Sequence, residues 1–531
     1  MGIKDDLHHP ATYDENETPT RSARMIWGLR ALGLAVAGLV WILLGGQEGL
    51  SADARFVAAV GTLMAVWWMT EAIPLSATAL LPIVLIPALT ETTVAQATQP
   101  YASSIVFLFL GGFLIAIAME KWHLHTRVAL LTLRKVGTAP RQIVLGMMLA
   151  TGFLSMWVSN TATTLMMLPI GLSVLSLVVD RSSRQDGAAA EDALKGGATI
   201  TDVVKDPNIS AFGVCLVLSI AWAASMGGLG TLLGSPPNAI VAGYASDELG
   251  REIGFLEWMM LGTPLAFSFI LIAWFLMTRV LYRFDLPEVP GGRQMIEDQI
   301  AGLGPLSQGE RMVLMVFLGA AFLWVVPGLL ATIPAIGAAA PWLDSLDDTA
   351  IAVGAGLIMF LLPGRGRDQM VLEWKDAEAG LPWGVLLLFG GGLSLASAVA
   401  SSGLDGWFGQ QVTGLGSLPT ILLVGAVVTI ILFLTEITSN TATAATFIPI
   451  LGGVALGIGA DAMTLLIPAA LAATCAFMLP VGTPPNAIVF GTGTVTIAQM
   501  AKGGFVLNIV GILLITGLTY LLGGLALGLT F

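Results

Sequence analysis

Two short motifs that combine small polar residues with helix-breaking residues each occur twice in this sequence. The residues SNTAT at 159–163 recur at 439–443, and a Gly-Ser/Thr-Pro-Pro-Asn-Ala-Ile motif occupies 234–240 and 482–488. Hydroxyl and amide groups supply oxygen ligands to a hard cation and hydrogen-bond donors to an anion. Prolines disfavour helix before them, so each Pro-Pro-Asn should break a helix, free carbonyl oxygens for a cation and offer the restarted helix's positive end to an anion.

The composition around these motifs is that of an all-α polytopic membrane protein. The chain is 56% hydrophobic and 11% charged, with a mean hydropathy of +0.85, whereas soluble domains carry about 25% charged residues. Many windows are long and apolar enough to span a bilayer. The absence of a basic stripe argues against nucleic-acid binding. Cys215 and Cys475 lie in apolar segments, as expected for packing residues.

Hydrophobic segments and polar interruptions divide the chain into two membrane parts. Irregular backbone at membrane depth is tolerated only where it is buried in protein or lines a cavity, so each motif is expected at a re-entrant tip or a helix break. The predicted segments are a polar N-terminus at 1–24, a first membrane part at 25–282 with a hairpin at 141–179, a polar insert at 181–208 and a broken helix at 210–246, a linker at 283–310, and a second part at 311–531 with a hairpin at 418–457 and a broken helix at 463–490.

The distribution of basic residues predicts the orientation of the chain. When the spans are threaded from a cytoplasmic N-terminus, every one of the 23 lysines and arginines except Arg55 and Arg251 falls on the cytoplasmic side. Positive residues stay in the cytoplasm because their translocation is unfavourable. The insert and the linker are therefore predicted to be cytoplasmic, in a multi-pass protein of the cell membrane.

The two halves match at a constant offset, and they run in opposite directions. Asn160 corresponds to Asn440 and Pro169 to Pro449, an offset of 280 residues. The span before the first hairpin ends at cytoplasmic charges, whereas the span before the second begins at them. This pattern predicts an inverted-topology repeat, with one hairpin on each side of the membrane and two half-sites that meet near the midplane.

The motifs carry no basic residue that could neutralise an anion. Neither hairpin core nor either broken span contains Lys, Arg or His. Because burial of an uncompensated carboxylate is prohibitive, bound cations are the natural partners, which favours cation–anion cotransport. The alternative is that these polar residues serve only as interhelical hydrogen-bond donors and acceptors. Glu71 and Glu436 could be structural acids, the favoured interpretation, or members of a proton relay.

At these motifs the chain resembles the divalent anion:sodium symporter family, whose bacterial dicarboxylate transporters are called INDY-like. The resemblance extends from about residue 27 to residue 528, and the paired SNT and Pro-Pro-Asn motifs are specific to it. The segment 473–489 also fits the C-terminal signature of the family, with Thr474 where the usual pattern has serine.

The resemblance implies an architecture and a set of site residues. It implies a homodimer with about eleven transmembrane helices, two re-entrant hairpins and two broken helices in each protomer, in which a transport domain moves against a scaffold like an elevator. The implied sodium ligands are Ser155, Ser159, Asn160 and Gly234 in the first site and Thr435, Thr438, Asn440 and Gly482 in the second. The implied substrate-binding residues are Asn160, Thr161, Ser235, Asn440, Thr441, Thr483 and Pro484.

These observations favour a sodium-coupled symporter for C4 dicarboxylates such as succinate, fumarate and malate. A dicarboxylate exchanger, or a sulfate or citrate symporter of the same family, remains an alternative. An ion channel is disfavoured because polarity is confined to two loops and does not form a continuous pore. An enzyme is disfavoured because the sequence carries no catalytic constellation.

Overall fold

The structure, a computed structural model, describes residues 22–183, 194, 199–286, 292–331, 333–340, 342, 346–366, 369–411, 414 and 418–531. This part of the chain is mostly helical. The helices of the first half are Ala23–Leu43, Ala52–Thr70, Leu75–Thr78, Leu81–Leu89, Val94–Thr98, Ser104–Lys121, Leu124–Val136, Pro140–Ser155, Asn160–Ser183, Ile200–Val203, Pro207–Gly227, Pro236–Leu249 and Phe255–Leu276. Short 3-10 helices occupy Leu44–Gly46, Gln99–Ala102 and Leu232–Gly234, and a π-helical turn occupies Met277–Leu281.

The linker and the second half are also helical, and the second half, like the first, has a helical hairpin followed by a broken helix. Their helices are Gly292–Gly302, Gln308–Ala331, Pro334–Ala339, Asp348–Leu361, Trp374–Gly380, Trp383–Ser402, Leu404–Gln411, Thr420–Thr435, Asn440–Gly457, Met463–Ala473, Pro484–Gly491 and Ile497–Leu527. One two-stranded antiparallel ribbon pairs Pro363–Arg365 with Gln369–Met370.

Both predicted hairpins are present as pairs of helices. The first hairpin consists of Pro140–Ser155 and Asn160–Ser183, and the second of Thr420–Thr435 and Asn440–Gly457. Each second arm contains a proline in its interior, Pro169 or Pro449. The predicted bounds 141–179 and 418–457 therefore agree with the structure to within a few residues.

Both predicted helix breaks are also present. The first broken helix consists of Pro207–Gly227 and Pro236–Leu249, and the second of Met463–Ala473 and Pro484–Gly491. In each, the helix restarts at the first proline of Pro-Pro-Asn, where the fixed φ and the missing N–H of proline are compatible with the first helical turn.

Three segments hold more structure than the sequence predicted. The linker 283–310 contains the helix Gly292–Gly302, and the ribbon at 363–370 lies in a chain predicted to be all-helical. The end of the polar insert forms the helix Ile200–Val203, and the Ile200 N–H donates to the Thr494 carbonyl at 3.0 Å. Ile200 is fully buried, because the end of the insert packs beside the second broken helix. The rest of the insert, like the N-terminal residues 1–21, lies outside the described residues.

The apolar helices divide into a buried centre and a lipid-facing periphery. Within the described residues, nine helices are long and apolar enough to cross a membrane. Pro207–Gly227 is 94% buried over its most apolar window, whereas Gln308–Ala331 and Ile497–Leu527 are each 28% buried. A helix that is apolar on all sides and exposed requires lipid around it, so the chain is a polytopic membrane protein with the first broken helix at its centre.

The two halves contact each other reciprocally at that centre. The restarted helix Pro236–Leu249 packs against the second hairpin and Met463–Ala473. In return, Pro484–Gly491 packs against the first hairpin and Pro207–Gly227. Because each half-site therefore faces the other half of the chain, the arrangement has the pairing expected of two related repeats.

Candidate functional site

The polar site begins at the tips of the two hairpins, where each chain reverses within four residues. The first arm ends at Ser155 and the second begins at Asn160; the equivalent residues are Thr435 and Asn440. The tight turn brings each asparagine side chain back to the last residue of the preceding arm. At the first tip, Ser159 Oγ accepts from the Ala162 N–H at 3.2 Å, which starts the second arm.

Asn160 holds a cluster of oxygen atoms between the first hairpin and the first broken helix. Ser155 Oγ lies 2.6 Å from Asn160 Oδ1. The same amide position is 3.0 Å from the Ala224 carbonyl oxygen and 3.2 Å from the Gly234 carbonyl oxygen. One hydroxyl, one amide and two carbonyls from three separate segments therefore converge within hydrogen-bond distance.

Asn440 holds the equivalent cluster in the second half. Thr435 Oγ1 lies 2.8 Å from Asn440 Oδ1. This amide position is 2.9 Å from the Gly482 carbonyl oxygen and 3.1 Å from the Ala473 carbonyl oxygen. The two clusters thus have the same composition: a hairpin hydroxyl, a hairpin amide, a carbonyl at the end of the helix before the break, and the carbonyl of the glycine that precedes Ser/Thr-Pro-Pro-Asn.

The asparagine of each Pro-Pro-Asn motif fixes the carbonyl groups at the break. Asn238 Nδ2 donates to the carbonyls of Gly228 and Thr231, both at 2.9 Å. Asn486 Nδ2 donates to the carbonyls of Ala476 and Leu479, at 3.0 and 3.1 Å. Both asparagines are fully buried. The restarted helix is therefore tied to the irregular segment before it, which holds the glycine carbonyl in place.

Glycine is required at Gly234 and Gly482 because the backbone passes close to other backbone atoms there. A Cβ at Gly234 would lie 2.5 Å from the Gly228 carbonyl oxygen, and a Cβ at Gly482 would lie 2.9 Å from the Thr435 carbonyl oxygen. The residues that follow, Ser235 and Thr483, are extended with nearly identical angles, φ −150° and ψ 143° against φ −152° and ψ 144°. The residue before each Pro-Pro-Asn thus has the same backbone conformation in both breaks.

The side-chain amide at each cluster has two useful orientations. With Oδ1 at this position, the oxygen faces only acceptors and the Nδ2 end faces only donors, so the protein alone satisfies neither end of the amide well. In the reversed orientation, Nδ2 lies within hydrogen-bond distance of all three oxygens and can donate its two hydrogens to them, so hydrogen bonding within the protein favours this orientation. A hard cation such as Na⁺ among these oxygens would favour the orientation that presents Oδ1 to it. The same atoms can therefore bind a cation or hydrogen-bond to one another.

Most of the predicted cation ligands meet in these clusters, and two do not. Ser155, Asn160 and Gly234 converge in the first, and Thr435, Asn440 and Gly482 in the second. Ser159 Oγ instead caps a helix. Thr438 Oγ1 bonds to the Leu434 carbonyl at 2.9 Å and to Thr443 Oγ1 at 2.6 Å. A contribution from Ser159 or Thr438 stays a prediction, as do the sodium sites themselves.

The predicted substrate residues lie next to the clusters, at the starts of the second hairpin arms and of the restarted helices. Thr161 and Thr441 follow the cluster asparagines in the first turns of the second hairpin arms, and Ser235, Thr483 and Pro484 stand where the broken helices restart. Neither Ser235 nor Thr483 caps its helix with its side chain. Their hydroxyl groups and the positive helix ends could therefore serve an anion, and this role stays a prediction.

Thr474 joins the two half-sites, a role that the sequence did not reveal. Thr474 Oγ1 donates to Ser235 Oγ at 3.0 Å, although the two residues belong to different halves of the chain. Thr474 is fully buried, and Ser235 is 1% exposed. The residue that departs from the family signature therefore connects the second broken helix to the first, as does Trp222 Nε1, which donates to the Phe477 carbonyl at 3.0 Å.

Glu436 anchors the second break through its ionisable side chain. Its carboxylate accepts from the N–H groups of Phe477, Met478 and Leu479 at 2.8–3.1 Å, and from Asn508 Nδ2 at 2.7 Å. The residue is 3% exposed. Backbone donors that the break frees are thereby satisfied by a group on the hairpin tip, so the geometry supports the interpretation of Glu436 as a structural acid.

The first break is held without a charged side chain, through neutral donors to backbone carbonyl groups. The residue at the equivalent offset is Met156, whose carbonyl oxygen accepts from the Thr231 hydroxyl. The first break is further held by Trp258 Nε1, which donates to the Leu229 carbonyl at 3.0 Å. The cluster around Asn440 therefore has an acidic side chain nearby, and the cluster around Asn160 has only dipoles.

A cavity of about 580 Å³ lies elsewhere, and its charge is unsuited to an anion. The carboxylates of Asp53, Glu91, Asp247 and Glu248 line it, together with several hydroxyl groups, and no Lys or Arg does. The hairpin tips and breaks therefore remain the best candidate for a combined cation and anion site.

Two replacements of Thr474 should distinguish the contribution of the bridging hydroxyl to stability from that of the side-chain volume. Thr474→Val keeps the volume but leaves Ser235 without this donor, so we expect destabilisation of about 1–2 kcal/mol. Thr474→Ser keeps the hydroxyl, so the free energy of unfolding of this variant should lie within about 1 kcal/mol of the wild-type value. Thermal unfolding of the purified protein in detergent compares them. Equal midpoints for the valine variant and the wild type would show that the bridge contributes nothing.

Glu436→Gln should destabilise the protein by about 2–4 kcal/mol, because an amide nitrogen would then face backbone N–H donors that the carboxylate now satisfies. Glu71→Gln is the matched control, since Glu71 is exposed at the end of its helix, and it should change the unfolding midpoint little. Thermal unfolding in detergent measures both. A Glu436 variant as stable as the control would exclude the anchoring role.

Comparison with known proteins identifies the family. The family model described as the sodium:sulfate symporter transmembrane region matches residues 24–526. The sodium-dependent dicarboxylate transporter SdcS of Staphylococcus saprophyticus is 40% identical over 505 residues, which cover 94% of this chain and 92% of SdcS.

Two solved structures share the fold. MtrF of Neisseria gonorrhoeae has a TM-score of 0.55 at 13% identity, and the matched region covers 91% of this chain and 96% of the MtrF chain. The YdaH transporter of Alcanivorax borkumensis has a TM-score of 0.54 at 14% identity and covers 95% of this chain and 98% of its own. At these identities the likeness concerns the fold alone. The family match over nearly the whole chain, together with the 40% identity to SdcS, shows that this protein belongs to the sodium:sulfate symporter family, which confirms the relationship that its paired motifs predicted.

Proposed function

We propose that the protein is a sodium-coupled symporter of C4 dicarboxylates. The observation that carries this proposal is the pair of matched oxygen clusters around Asn160 and Asn440, one on each hairpin tip. Two cations bound there would place positive charge beside the helix starts at Thr161 and Thr441. The name of the 40% identical relative, a sodium-dependent dicarboxylate transporter, supports the choice of ion and substrate class.

The electrostatics of the site require the two ligands to bind together. Within the described hairpin tips and breaks the one charged side chain is Glu436, which is negative. A dianion that enters this site alone would meet no opposing protein charge, and its desolvation would be uncompensated. Bound sodium supplies that charge, so each ligand should raise the affinity of the other by the same factor.

The proposed transport cycle uses the two repeats as a moving unit. The hairpins and broken helices would form a transport domain that slides against the remaining helices, which would form a scaffold and the interface of a homodimer. The reciprocal contacts between the halves support a compact moving unit. An inverted-topology repeat would allow the site to open to either side of the membrane by exchange of equivalent conformations.

We expect uptake of radiolabelled succinate into proteoliposomes to require external sodium. An inside-negative potential should accelerate it if more sodium charge than anion charge enters, since one charge moved across 100 mV is worth about 2.3 kcal/mol. Replacement of sodium by choline at equal ionic strength is the control for screening. Uptake in choline that equals uptake in sodium would exclude the symporter, and a strict need for internal dicarboxylate would identify an exchanger.

Variants connect that activity to the clusters. Asn160→Ala and Asn440→Ala should each remove most sodium-dependent uptake, because each change deletes the side-chain amide around which one cluster forms. Gln294→Ala removes an exposed amide far from both and should transport normally. Competition by unlabelled anions tests the substrate class. We expect sulfate and citrate to compete with labelled succinate more weakly than fumarate and malate do.

Labelling should establish the proposed orientation, with the N-terminus in the cytoplasm. Gln47 is exposed after the first helix and Gln294 is exposed in the linker. The native cysteines, Cys215 and Cys475, are buried, so they give little background. In intact cells a membrane-impermeant maleimide should label Gln47→Cys at once and Gln294→Cys only after permeabilisation. The opposite pattern would overturn the orientation derived from the basic residues.

A further inference from the structure

A second polar site lies where the first hairpin begins, at the end opposite its tip and its oxygen cluster. This end of the hairpin carries basic residues. A cavity of about 340 Å³ opens there, and its lining residues are Arg141, Asn208, Thr278, Arg279, Arg283, Phe284 and Asp285. Three arginines face a single carboxylate in this lining. Its volume is within the range of small-molecule sites. The cavity therefore has the charge and the size to hold an anionic group.

The floor of this cavity is rigid. Arg141 Nη2 donates to the Phe284 carbonyl at 3.1 Å, and its guanidinium lies 6.0 Å from the Phe284 ring centroid. Trp274 Nε1 donates to the Arg141 carbonyl at 2.8 Å. Asn208 Oδ1 accepts from the Asp285 N–H at 3.1 Å. Four segments of the chain are thus joined around the cavity.

Two of the arginines are available to a ligand. Arg279 and Arg283 are both exposed. Neither forms an ion pair or a side-chain hydrogen bond with any residue in the described part of the chain, Asp285 included. An arginine without a partner presents a planar fork of donors that matches a phosphate group.

The cavity is continuous with a lipid-facing surface. Leu271 and Phe275 are 48% and 53% exposed on the helix Phe255–Leu276, and Arg279 follows Phe275 after four residues on the same stripe. Val280, next in the chain, is 56% exposed. A ligand with acyl chains along this stripe would place its headgroup at the arginines. This end of the helix is also the one that the basic residues predict to be cytoplasmic.

We propose that Arg141, Arg279 and Arg283 bind the phosphate headgroup of an anionic phospholipid whose acyl chains lie along the exposed face of Phe255–Leu276. The apolar stripe favours a lipid over a soluble phosphate, because a soluble anion would gain nothing from it. Basic pockets between membrane helices on the cytoplasmic side are suited to such headgroups. The site is independent of the sodium clusters and of the proposed substrate.

The test compares lipid retention by the wild type and by a variant that removes two positive charges. Arg279→Gln/Arg283→Gln leaves Arg141 and its contact with Phe284 intact. Arg311→Gln/Arg365→Gln removes the same charge from two exposed arginines outside the cavity and is the matched control. Each protein is placed in nanodiscs of phosphatidylcholine with phosphatidylglycerol, and bound lipids are counted by native mass spectrometry. Size-exclusion profiles and thermal unfolding confirm that each variant is folded.

The wild type and the control should retain phosphatidylglycerol in preference to phosphatidylcholine. The cavity variant should bind phosphatidylglycerol at least about 10-fold more weakly than the control does, because each lost arginine removes charge-assisted hydrogen bonds to the phosphate. Retention by the cavity variant equal to that of the wild type would overturn the proposal. A control variant that loses as much lipid as the cavity variant would also overturn it, because the effect would then be one of total charge.

A second arm distinguishes a lipid from a free phosphate. The wild type in nanodiscs of phosphatidylcholine alone is titrated with soluble glycerol phosphate, and thermal unfolding is recorded. We expect no stabilisation, whereas nanodiscs with phosphatidylglycerol should stabilise the wild type and the control but not the cavity variant. Stabilisation by glycerol phosphate that matches the effect of phosphatidylglycerol and disappears in the cavity variant would assign the site to a soluble anion instead.

Discussion

The structure depends on a single constraint: backbone groups freed at membrane depth must find partners inside the protein. Two hairpin tips and two helix breaks interrupt helices in the middle of a chain that is 56% hydrophobic. No lipid can hydrogen-bond to the freed N–H and carbonyl groups. Each half of the chain therefore brings its own tip against its own break, and the side chains of Asn160, Asn440, Asn238 and Asn486 supply the missing partners. The high burial of the central helix follows from the same requirement.

This constraint also explains why the site suits a cation. An asparagine that satisfies carbonyl oxygens with its nitrogen can, after rotation of its amide, present its oxygen to an ion held by those same carbonyls. In the proposed mechanism, the cation-bound state would use the same atoms as the hydrogen-bonded state and would differ from it in the orientation of two amides. A cation that replaces hydrogen bonds in this manner would order the tips and breaks together, which is the coupling that a symporter needs.

The two halves are not equivalent in charge, although Ser235 and Thr483 share one backbone conformation at the two breaks. Glu436 carries a buried carboxylate at the second tip, where the first half has Met156. The second break is held by a carboxylate that accepts from three successive N–H groups and from Asn508, whereas the first is held by neutral groups, among them Thr231, Asn238 and Trp258. The negative charge should also favour a cation at the second cluster. The two clusters therefore match in composition and differ in electrostatics.

The sequence by itself determined the local elements and the family. Prolines, glycines and SNT triplets interrupt strongly apolar segments, and these signals depend only on neighbouring residues, so the bounds of both hairpins and both breaks agree with the structure to within a few residues. Asn160, Asn440, Gly234 and Gly482 were found in the same way, because each belongs to a duplicated motif. The helix Gly292–Gly302 and the short ribbon at 363–370 were not predicted, since polar segments carry no strong periodicity.

Only the tertiary structure decided which atoms meet. The carbonyls of Ala224 and Ala473 carry no sequence signal, because every residue has a carbonyl group and only packing selects the ones that face an asparagine. The Thr474–Ser235 bridge joins residues 239 positions apart, and the partners of Glu436 lie 41–72 positions away. The arginines of the lipid-facing cavity come from two regions far apart in the chain, the start of the first hairpin and the segment after Phe255–Leu276, and helix packing places these regions side by side. Contacts of this kind depend on how helices pack, and helix packing is set by the whole chain.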